Sequence, residues 1–135
     1  VSDTAKSETQ DVFAAFREEK IASREEQLSY IDSVMKSAAE GDEVKKQAQQ
    51  QKLELAANME QETAAEGMIK TTLEADAVVT VSSSGVSVVI DKKTLTDAQA
   101  AQIAQIVTAQ TGKSANNIKI IPQQKTENIE TKVDE

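Results

Sequence analysis

Apolar residues return at helical spacing from about Asp11 to Ala39: Val12 and Phe16, then Ile21, Leu28, Ile31 and Met35, with Arg24 taking one turn of the stripe. The spacing predicts a helix with one apolar face, its other faces carrying the interleaved Glu and Lys/Arg of "FREEKIASREEQ". Such a stripe has to be buried, either against a second helix of this chain as an antiparallel pair or against a partner. The period breaks at "AAEGDE", where Gly41 is placed to stop the helix and Asp42 to cap the next one. From about Glu43 to Glu74, Val44, Ala48, Leu55, Met59, Ile69 and Leu73 follow one drifting face, and Leu53, Ala57, Ala64 and Met68 follow its neighbour. Two stripes predict two packing flanks, one for the first helix or a partner and one for the rest of the fold. Gly67, inside this helix, costs about 1 kcal/mol relative to Ala and marks a candidate bend.

The period then changes from 3.6 to 2. Val78 to Val81 and Val86 to Ile90 are rich in β-branched residues and are split by Ser82-Ser83-Ser84-Gly85, which predicts a hairpin. Thr96-Asp97-Ala98-Gln99 has the form of a capping box ahead of an apolar face made by Ala100, Ile103, Ala104, Ile106 and Val107, and the helix ends at Thr111-Gly112. A third strand runs from Ile118 to Ile121 and is closed by Pro122. The fold class is therefore α+β: a long N-terminal helix, then helix, strand, strand, helix, strand, with helices covering one face of a three-stranded sheet. Alternation places Val79, Val81, Val86, Val88, Ile90, Ile118 and Ile120 toward the helices and Val78, Thr80, Ser87, Val89, Lys119 and Ile121 away from them. Two sheet edges are expected to be open. Strand order is not fixed by the pattern, and a right-handed crossover favours the third strand beside the first, parallel to the second.

Composition narrows the chemistry. Phe13, Phe16 and Tyr30 are the only aromatic residues, so the core must come from Val, Ile, Leu, Ala and Met, which suits thin helix-on-sheet packing better than a deep ligand cavity. The net charge is −8, and residues 1–75 hold 16 of the 23 acidic side chains against 9 of the 15 basic ones. With no basic stripe, neither nucleic acid nor an anionic membrane surface is an expected partner. Without Cys or His there is no thiolate nucleophile, imidazole base or Cys/His zinc site, and no catalytic residue, metal or cofactor is expected. The pairs Glu18-Glu19 and Glu25-Glu26 point about 100° apart on a helix and read as solvated faces, and the Ser-rich turn lacks a base to activate it. No apolar run approaches the roughly 18–20 residues of a membrane span. The start at Val1 is that expected of a mature or excised fragment separated from an anchor.

The segments "FREEKIASREEQLSYIDSVM", "EQETAAEGMIKTTLEADAVVTVSSSGVSVVIDKKTLTDAQAAQIAQIV" and "NIKIIPQ", in that order, resemble the extracytoplasmic domain of the stage III sporulation protein AH family over about Asp11 to Pro122. The resemblance implies a ring-building motif like that of type III secretion ring proteins, and an N-terminal membrane anchor absent from this chain. It implies a place in the intermembrane space between mother cell and forespore, anchored in the mother-cell membrane. The implied partners are the stage II sporulation protein Q ectodomain, other stage III sporulation A-operon proteins, and further copies of the chain in a ring or channel. On this reading residues 1–10 are a flexible tether, 11–40 the N-terminal helix, 41–122 the ring-building domain and 123–135 a disordered acidic tail.

The function expected is that of a non-enzymatic interaction domain, with edge-strand amides and outward aliphatics as the adhesive groups. Val78, Val89, Lys119, Ile121 and Ile118 on the sheet, with Ile31 and Met35 on the first helix, are the candidate partner-binding residues. The rival expectation is a small-molecule-sensing regulatory α+β domain, which requires a polar pocket or Gly-rich ligand loop that the sequence does not offer.

Overall fold

The computed structural model describes residues 9–37, 39 and 41–128. In chain order the elements are β1 (Thr9–Asp11), α1 (Val12–Ser37), α2 (Glu43–Leu73), β2 (Ala77–Ser82), β3 (Gly85–Ile90), α3 (Asp97–Thr111), a 3₁₀ turn (Ala115–Asn117), β4 (Ile118–Pro122) and β5 (Thr126–Asn128). The helix ends carry the caps that their sequence calls for. Asp11 Oδ1 accepts from the Phe13 N–H at 3.0 Å and the Ala14 N–H at 3.2 Å, and Asp42 Oδ1 accepts from the Val44 N–H at 3.1 Å. Glu74 closes α2 in the left-handed region at φ 55°, with its N–H on the Lys70 carbonyl. At α3 the Thr96–Gln99 capping box is complete in both directions, at 3.1 and 3.0 Å. α2 runs unbroken through Gly67, where an added Cβ would meet nothing within 4 Å.

The sheet order is β2-β3-β4, with β2 and β3 antiparallel and β3 and β4 parallel. β4 thus lies beside the second strand of the hairpin and not beside the first, as the sequence had favoured. The free side of β2 is occupied by side chains of α1 and α2, which leaves the β3 side for the crossover strand. The main core lies between the inner sheet face, α2 and α3: Ala65, Ile69 and Leu73 meet Val79, Val81, Val86, Val88, Ile90, Ile103, Ile106 and Val107, with Ile118 and Ile120 packed at its margin. Every aliphatic assigned inward by alternation is found there. Gly85 has φ 151°, and a Cβ on it would come within 2.4 Å of the Asn117 carbonyl oxygen, so glycine is required where the hairpin passes the 3₁₀ turn.

α1 folds back along α2, and the far ends of the two helices share a smaller cluster of Ile31, Ala48 and Leu55, flanked by Leu28, Val34 and Met35. The apolar stripe of α1 is therefore satisfied within the chain at that end. Nearer the sheet the expected stripe fails: Ile21 is 57% exposed, while Phe13 and Arg24 are buried. On α2 the buried positions are Ala48, Leu55, Glu62, Ala65, Ile69 and Leu73, and Val44, Leu53, Met59 and Met68 are exposed. The second stripe predicted for that helix is solvent-facing. Thr9–Asp11 and Thr126–Asn128 pair antiparallel as short strands that reach into the segments read as tether and tail; residues 1–8, 38, 40 and 129–135 lie outside the described residues. The return is guided by the Lys125 N–H on Asp91 Oδ1 (2.6 Å) and the Val12 N–H on the Lys125 carbonyl (2.8 Å).

Candidate interaction surface

An edge strand leaves every second residue with an N–H and a C=O turned away from the sheet. On β2 these residues are Ala77, Val79 and Val81, and all six groups are taken by side chains. The N–H groups donate to Asp76 Oδ1 (2.9 Å), Glu66 Oε2 (2.8 Å) and Glu62 Oε2 (2.7 Å), in that order. The three carbonyls accept from Arg17 (3.4 Å), Lys20 Nζ (2.6 Å) and Arg24 (3.1 Å). Each cation also pairs with the carboxylate on the same residue: Arg17 with Asp76 at 2.5 Å, Lys20 with Glu66 at 3.0 Å, and Arg24 with Glu62. Lys20 Nζ stands 3.4 Å from Glu62 Oε1 as well, which joins two of the rungs.

Geometry makes this ladder available. Two residues of strand advance about 6.6–6.8 Å. Four residues of helix rise about 6 Å. Cations at 17, 20 and 24 on one helix face and carboxylates at 62 and 66 on another therefore keep step with residues 77, 79 and 81. The ladder grades in burial, since Arg24 and Glu62 are buried while the Arg17 side chain is 38% exposed. Burial pushes the Asp76 carboxyl up, but hydrogen bonds from Arg17 and Lys125 outweigh it and hold the group below the ordinary aspartate value. Of the expected open edges, one is thus closed. A sequence reading that treats charge as solvent-facing misses it, although Arg24 in the apolar stripe and Glu62 in heptad step with Ala48, Leu55 and Ile69 were its visible signal.

The opposite edge is different. The Gln123 N–H donates to the Ile90 carbonyl at 2.9 Å, which by parallel-ladder alternation turns the backbone of Ile118, Ile120 and Pro122 outward. The Ile118 N–H is held by the Ala115 carbonyl and Pro122 has none, so Ile120 presents the outward N–H of β4. No further strand lies against β4 among the described residues.

The outward sheet face carries a cross-strand row, Val78 opposite Val89 opposite Ile121. Its exposure grows toward β4: Val78 is 4% exposed, Val89 half-buried and Ile121 37% exposed. Phe16 and Lys20 of α1 share a groove with Val78, Val89, Thr80 and Ser87, so α1 shelters the β2 end of the row. Of the candidate contact residues, Val78 and Ile31 are buried within the chain, the second because it packs on Ala48 and Leu55. Met35 is half-buried in the same cluster, and Ile118 is half-buried at the core margin. Lys119 and Ile121 are exposed and Val89 is partly so, and these three share the outward face of β3 and β4.

A cleft of about 340 Å³ lies between the helical pair and the hairpin turn, lined in part by Arg24, Tyr30, Ser82, Ser83 and Lys113. Its buried cation is already engaged by Glu62, Gln27 and the Val81 carbonyl, which is poor provision for a ligand. Among the described residues no cluster of acidic side chains is arranged to hold a metal ion, and no helix is long and apolar enough to cross a membrane.

A family model described as SpoIIIAH-like protein matches residues 1–120. No curated protein matches the chain. Among solved structures, a chain from the structure of the SpoIIQ–SpoIIIAH pore-forming complex superposes with a TM-score of 0.73 at 16% identity, over 85% of this chain and 99% of that one. At that identity the likeness establishes the fold.

Proposed function

Because the chain belongs to the SpoIIIAH-like protein family, we propose that it is a non-enzymatic adhesion domain that binds the ectodomain of SpoIIQ, the stage II sporulation protein, in the space between mother cell and forespore. In this reading it contributes to a channel or ring that bridges the two membranes, held to the mother-cell membrane through an anchor outside this chain. The observation that carries the reading is the asymmetry of the sheet: the β2 side is occupied by the chain's own charged side chains, while Val89, Lys119 and Ile121 share the outward face beside the β4 edge, the last two exposed. An aliphatic centre with a polar margin and one short strand edge is the composition of a contact patch. The fold likeness to a chain of the SpoIIQ–SpoIIIAH complex agrees with it.

Isothermal titration of this chain with the SpoIIQ ectodomain tests the proposal. A saturable complex is expected, and no heat or co-elution at about 100 μM of each would rule out the pairing, since an affinity weaker than that amounts to less than about 5.5 kcal/mol.

A further inference from the structure

We propose that the outward sheet face recognises a carboxylate of the partner beside an apolar side chain, and that Thr80, Ser87 and Lys119 hold that carboxylate. The inference rests on the proposed binding of the SpoIIQ ectodomain at this face, and it names the chemistry that the partner presents there.

The strand register sets two rows across the sheet. Val78, Val89 and Ile121 form the apolar row, and Thr80, Ser87 and Lys119 form a second row two residues along each strand. The rows are therefore about 6.6–6.8 Å apart. Thr80 and Ser87 are half-buried, and neither hydroxyl is hydrogen-bonded among the described residues. Lys119 is exposed and has no ion-pair partner among them. By contrast, Arg17, Lys20 and Arg24 of α1 are each paired with a carboxylate of the chain.

A partner that covers the apolar row also takes water from the second row, and every polar group left without a new partner there opposes binding. A hydroxyl can donate or accept, whereas an ammonium only donates, so Lys119 makes this a row of donors. A carboxylate answers all three groups at once, because it only accepts and its charge opposes that of Lys119. A neutral amide would leave the ammonium charge unmatched, and a cation would be repelled by it. Glu19 of α1 is the acidic side chain that borders the groove holding Thr80 and Ser87, which disfavours an anion at the β2 end and sets the site at Lys119. The row spacing corresponds to an apolar and an acidic residue two apart on an extended segment, or four apart on a helix.

Isothermal titration with the SpoIIQ ectodomain at about 0.02 and 0.5 M NaCl separates such a site from a purely apolar contact. Lys119→Gln should weaken the complex about tenfold at low salt, and Lys119→Glu at least about 30-fold. The native affinity should fall as salt rises, and the fall should be markedly smaller for Lys119→Gln. Lys119 lies outside the core cluster, so both variants should melt as the native chain does. Thr80→Val/Ser87→Ala reads the hydroxyls by sign: lost hydrogen bonds weaken binding about fivefold, whereas a purely apolar contact would be strengthened. Should that double variant melt lower, the lysine variants decide by themselves. A native complex that Lys119→Gln leaves unchanged, or that Lys119→Glu or the hydroxyl-free variant tightens, overturns the carboxylate site and leaves the pairing standing. Absence of any complex with the native chain overturns the pairing and the site together.

Discussion

Replacing Glu62 by alanine should cost about 3–5 kcal/mol of stability, because it leaves the Arg24 guanidinium buried without its counter-charge. The same change strips the Val81 N–H of its acceptor, and Arg24 already has a buried Nε without a partner among the described residues. For a chain of this size the loss corresponds to a fall of about 10–20 °C in Tm. Urea unfolding followed by circular dichroism measures it. The pair need not stabilise the fold relative to an apolar substitute, so Glu62→Met with Arg24→Met should recover much of the loss. A cost below about 1 kcal/mol for Glu62→Ala would mean that the β2 edge is solvated and the ladder carries little.

At the other side of the sheet the expected effect is on binding. Ile121→Asp should weaken the complex with the SpoIIQ ectodomain by at least about 30-fold, near 2 kcal/mol, the scale of a central contact residue. Ile121 is 37% exposed and stands outside the buried core cluster, so the melting curve of the free chain should be almost unchanged. Ile21→Asp is the matched control: that side chain is more exposed, at 57%, but lies on α1 away from the β4 edge, and its loss should leave affinity as it was. Equal weakening by both changes would point to general charge repulsion from an acidic partner and not to a patch at β4.

Much of this fold was legible because its elements announce themselves locally. The helices predicted over Asp11–Ala39 and Glu43–Glu74 are Val12–Ser37 and Glu43–Leu73, and the caps at Asp42 and Thr96 lie where their side chains demand. Alternation separated Val79, Val81, Val86 and Val88 from the outward residues because a pleated strand has no other way to place them. What was not legible depends on charge being used as structure. Arg17, Lys20, Glu62 and Glu66 have the sequence character of a solvated face, and only the partner strand makes them interior or edge-capping groups. Strand order follows from the same cause, since the occupied β2 edge leaves the β3 side for β4. The contact candidates differ in exposure for a related reason: Val78 points outward as its parity requires, yet α1 covers that end of the row.

The proposed function turns on which side of the sheet meets the partner. Backbone amide spectra of the labelled chain, recorded with and without unlabelled SpoIIQ ectodomain, test that directly. The expected result is that the largest changes fall at Val89 and from Ile118 to Ile121, with the Ile120 amide newly protected and those of Val79 and Val81 unmoved. Protection gained at Val79 and Val81, or changes confined to the solvent face of α1, would contradict it.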